Sequence, residues 1–65
     1  MIKTVIRLKN DMVMAFDEEG DQMPQYQGCY QEVKEKVLEN AMAGAVFNHW
    51  FGNSLKPVVV KSERW

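Results

Sequence analysis

Cysteine and histidine each occur once in this chain, as Cys29 and His49, and they are the residues best suited to covalent or acid–base chemistry. A cysteine nucleophile needs a base to take its proton, so the two would have to meet in the fold. His49 lies inside the aromatic stretch Phe47-Asn48-His49-Trp50-Phe51, but no Ser-His-Asp or Cys-His-Asn pattern surrounds it. Cys29 has no basic neighbour in sequence to hold it as a thiolate. The expectation is a hydrogen-bonded structural histidine, an inert thiol, and no catalytic residue.

Metal chemistry has little to draw on. One cysteine and one histidine fall short of the usual zinc ligand sets, which take about four such side chains. Asp17, Glu18, Glu19 and Asp21 would attract a hard cation, but their spacing departs from the EF-hand loop, and solvated acids in a turn need no ligand. No metal and no cofactor is expected.

Two surfaces remain as binding candidates. Lys3, Arg7 and Lys9 alternate along one strand with Val5 and Phe16 nearby, in outline like the basic, aromatic sheet surfaces that hold single-stranded nucleic acid. The ribonucleoprotein aromatic motif is absent and the formal charge is -1, so nucleic-acid binding is the alternative reading. The first reading is a protein interface with Val5, Met14 and Phe16 at its centre, Arg7 on its rim, and Trp50 close by. The basic first strand and the acidic turn after it suit two copies meeting about a two-fold axis, so a homodimer is expected.

These side chains must be positioned by a short chain. Sixty-five residues make a single domain, 1–65, and with one cysteine no internal disulfide can supplement its small core. Oligomerisation is the remaining supplement. Ile2 to Lys9 reads as a strand, and Asn10-Asp11 as a two-residue turn into a second strand, Met12 to Phe16. That turn sets Leu8 opposite Val13, Ile6 opposite Ala15, Arg7 opposite Met14 and Val5 opposite Phe16. Ile2, Ile6, Leu8, Val13 and Ala15 then face a helix, leaving Val5, Met12, Met14 and Phe16 on the other side.

After an acidic turn at Asp17 to Asp21, Gln22-Met23 can add a short strand before Pro24 ends pairing. Tyr26, Tyr30, Val33, Val37 and Ala41 recur at helical spacing, with Gly44 as the stop. Ala45 to Phe51 reads as a strand, with Phe47 and His49 on one side and Val46 and Trp50 on the other. Gly52-Asn53-Ser54 turns the chain, and Val58 to Lys61 returns as the last strand. The fold class is α+β: an antiparallel sheet of about four strands, in β-β-α-β-β order, packed on one amphipathic helix.

One helix covers one sheet face, and the second face here is too apolar for water unless terminal residues such as Trp65 fold back over it. Charges interrupt the apolar residues near the N-terminus, and no stretch reaches a membrane span's length, so a cytoplasmic protein is expected.

Overall fold

The computed structural model describes residues 1–51, 54–57 and 65. In chain order the elements are β1 (Ile2–Arg7), β2 (Met12–Asp17), a single 3-10 turn (Pro24–Tyr26), β3 (Gly28–Cys29), α1 (Tyr30–Asn40), β4 (Ala41–Phe51) and β5 (Ser54–Pro57). One helix packs on a mixed sheet of five strands in the order β3-β2-β1-β4-β5. The α+β class and the β-β-α-β-β order agree with the expectation, but the sheet is neither four-stranded nor purely antiparallel, because β1 and β4 run parallel. The physical reason is the two-residue strand β3. It adds a reversal before the helix, so α1 acts as a crossover and returns the chain parallel to β1.

The first hairpin closes through three loop residues, Lys9 to Asp11. The Leu8 N–H donates to the Met12 carbonyl at 2.8 Å and the Asp11 N–H to the Leu8 carbonyl at 3.0 Å. Asp11 takes φ 64°, the left-handed conformation that aspartate tolerates and such loops require. Asn10 Oδ1 accepts from the Met12 N–H at 3.1 Å. The pairs are therefore Arg7–Val13, Ile6–Met14, Val5–Ala15 and Thr4–Phe16, one residue away from those expected of a two-residue turn. A one-residue slip exchanges the faces of a strand. Val5, expected on the uncovered side, is fully buried under the helix. Ile6 and Leu8, expected under the helix, take the other side. A register irregularity between Ile2 and Thr4 returns Ile2 to the buried side.

The core is Ile2, Val5, Val13 and Ala15 from the hairpin, Tyr30, Val33 and Val37 from α1, Phe47 from β4, and Trp65. The three helical residues form the expected stripe, but the helix is shorter than the periodicity suggested. Gly28, at φ 143°, belongs to β3, and Tyr26 sits in the 3-10 turn, so helical backbone begins at Tyr30. Its N–H reaches across to the Asp11 carbonyl at 2.8 Å, tying the helix start to the first hairpin loop. Gly44, expected as the helix stop, lies inside β4 at φ 82°. There β4 advances from Ala41 to Val46 while β1 advances from Ile2 to Thr4, and the left-handed glycine absorbs the excess.

Gln22 forms a single bridge to Phe16, in place of the short strand expected at Gln22-Met23. The expected strand at Val58 to Lys61 lies outside the described residues, and Ser54–Pro57 pairs with β4. Among the described residues no helix is long and apolar enough to cross a membrane.

Candidate functional site

Residues paired across neighbouring strands share a sheet face, so the register lists the side turned away from the helix. Thr4 and Ile6 on β1 pair with Phe16 and Met14 on β2, and Met12 pairs with Cys29 on β3. Across the parallel ladder Thr4 and Ile6 pair with Val46 and Asn48, and in the last hairpin Asn48 and Trp50 pair with Pro57 and Leu55. None of these side chains is charged, and no described element lies over them. Val46, Leu55 and Met12 are exposed by 43%, 40% and 37%, whereas Ile6, Met14, Phe16 and Trp50 are half-buried against their neighbours. Three of the exposed large hydrophobics of the described residues therefore share one face of the sheet.

At the end of this face nearest the first hairpin loop, Leu8, Lys9, Asn10 and Trp50 line an open cleft of about 370 Å³. The Lys9 ammonium stands 6.0 Å from the centre of the Trp50 ring, at the outer limit of a cation–π contact.

Of the five interface residues expected from the sequence, Met14, Phe16 and Trp50 lie on this outer face, while Val5 and Arg7 lie on the helix side. The Arg7 guanidinium stacks 3.6 Å above the Tyr30 ring, donates from Nη1 to the Trp65 carbonyl at 3.0 Å, and pairs through Nη2 with Asp11 at 2.9 Å. Lys3, Arg7 and Lys9 therefore do not form one basic face. Lys3 is exposed at the β1 irregularity, Arg7 is turned towards the helix, and Lys9 sits in the loop beside Trp50. Ile6, Leu8 and Leu55 were missed as face residues, because the signal that assigns the first two is the length of the hairpin loop, whereas Val46 lies on the Trp50 side as strand alternation predicts.

Trp65 does not cover the outer face. It is buried on the helix side, with ring centroids 4.9 Å from Tyr30 and 5.2 Å from Phe47. Its Nε1 has no hydrogen-bond partner among the described residues.

Cys29 and His49 are not brought together. Cys29 is exposed on the edge strand, its Sγ 3.9 Å from Met12 Sδ on the outer face. His49 pairs in register with Arg7 and Lys56, which places it on the helix side, three strands and about 14 Å away across the sheet. The acidic turn is organised internally. Asp17 Oδ1 accepts from the backbone N–H groups of Glu19 and Asp21, both at 2.9 Å. The Met1 ammonium bonds Glu18 at 2.8 Å, and this hydrogen bond, with the attraction of the same charge, holds the Glu18 carboxyl below its ordinary pKa. Among the described residues no cluster of three or more histidine, cysteine, aspartate or glutamate side chains is arranged to hold a metal.

Comparison of the chain with protein-family models, curated proteins and solved structures finds no match in any of the three.

Proposed function

We propose that the protein is a non-enzymatic interaction module whose contact surface is the outer face of the sheet, with Ile6, Met14, Phe16 and Trp50 at its centre. The observation that carries this reading is the pairing of eleven uncharged side chains on a face over which no described element lies. Methionines at the centre suit such a surface, since the unbranched thioether adapts to an opposing shape. These side chains are already half-buried, so each adds at most about half of the roughly 1.5–3 kcal/mol of full burial, and several must act together to drive association. The separation of Cys29 from His49 supports a binding role over nucleophilic chemistry.

The reading separates two substitutions of the same kind. Phe16→Asp lies on the proposed surface and leaves the fold intact, with a urea midpoint close to that of the parent at dilutions where association is negligible. Val5→Asp buries a charge under the helix and abolishes folding. Loss of fold in Phe16→Asp as complete as in Val5→Asp contradicts the proposal, because the outer face would then be covered within the molecule.

A further inference from the structure

The charges around the outer face are sorted by end. At the end where β1 begins and β2 finishes stand Asp17, Glu18, Glu19 and Asp21, with Lys3 and the Met1 ammonium as the nearby cations. At the other end stands Lys9, in the hairpin loop beside Trp50, while Arg7 and Asp11 pair with each other on the helix side. Among the described residues the outer face thus has an acidic turn at one end, Lys9 at the other and uncharged side chains between.

We propose that the partner of the outer face is the same face of a second copy of this chain, stacked with its strands running in the opposite direction. The acidic turn of each copy then meets the Lys9 end of the other. The inference rests on the outer face being a contact surface, and it names what covers that surface. A two-fold axis lying in the interface and crossing the strands exchanges the two ends and so matches opposite charges. An axis parallel to the strands would set one acidic turn against the other. The uncharged centre stacks on itself with no ion left unpaired, and the cleft of Leu8, Lys9, Asn10 and Trp50 lies at the end where the partner's carboxylates arrive.

The area suits a weak, reversible dimer. Five strands about 4.8 Å apart, averaging about five residues at about 3.4 Å although β3 has only two, make a face of roughly 400 Å² in plan. Two copies stacked on it cover roughly 800 Å² in plan, just under the roughly 1,000 Å² at which specific interfaces begin, so the dimer is a weak one. Aligned sheets pack in this way about 10 Å apart, with strands crossing at about 30°.

The test is sedimentation equilibrium of the parent chain, of Lys9→Glu, of Glu19→Lys with Asp21→Lys, and of all three changes together, at low and high ionic strength. These side chains are exposed, so the fold is preserved. Either partial set weakens the dimer by about three- to five-fold in low salt, the effect of losing exposed ion pairs. The combined variant reverses both ends and regains the parent's dissociation constant within about two-fold, and high salt erases the differences. A dimer that the combined variant fails to restore overturns the opposed-strand arrangement. A parent chain that is monomeric throughout overturns the second copy as partner, whereas the contact surface itself is judged separately by whether Phe16→Asp folds.

Discussion

Trp65 is the residue on which the small core leans most. It lies against Tyr30 and Phe47, and its carbonyl accepts from Arg7, whose guanidinium in turn covers Tyr30. Replacing a buried tryptophan with alanine costs about 3–5 kcal/mol, comparable to the whole stability of a domain this small. Trp65→Ala should therefore be largely unfolded at 25 °C by far-ultraviolet circular dichroism. Trp65→Phe keeps an aromatic ring and removes the unpaired Nε1 donor, so its stability should lie within about 1 kcal/mol of the parent. An alanine variant as stable as the parent would show that the ring adds nothing to the core. At this scale much was legible. Tyr30, Val33 and Val37 follow helical spacing, and the opposite sides of Phe47 and Val46 follow from strand alternation. That Trp65 packs beside α1 was not legible, since an isolated terminal aromatic carries no period.

At the scale of elements, one loop residue decides which side chains reach the surface. The left-handed conformation of Asp11 makes the first loop three residues long, and that length sends Val5 inward and Ile6 outward. Asp11→Val should destabilise by about 1–3 kcal/mol, because a β-branched side chain is strained at positive φ. Asp11→Asn tolerates that conformation and gives up only an exposed ion pair, so it should stay within about 1 kcal/mol. Urea unfolding compares the two, and equal tolerance would mean that the loop does not need its left-handed residue. Asn10-Asp11 announces a tight turn without fixing its length, and so the sheet face could not be read from sequence. The parallel pairing of β1 and β4 was hidden for a related reason. It depends on a strand of two residues, Gly28–Cys29, too short to display alternation.

For the whole molecule, a sheet with one helix over it and an uncharged second face is half of a sandwich. The sequence already showed a surplus of apolar side chains and an uneven charge distribution; the register turns these into a defined face with an acidic turn at one end and Lys9 at the other. Central to this account is that the face is closed by another protein surface, for which a second copy is the partner proposed. The most direct test is the solution mass of the chain across a concentration series, beside that of Phe16→Asp. The parent chain should show a monomer–dimer equilibrium and the variant a folded monomer at every concentration. A parent chain that stays monomeric across the series would contradict the second copy as partner, and a variant that dimerises as well as the parent would contradict this face as the contact.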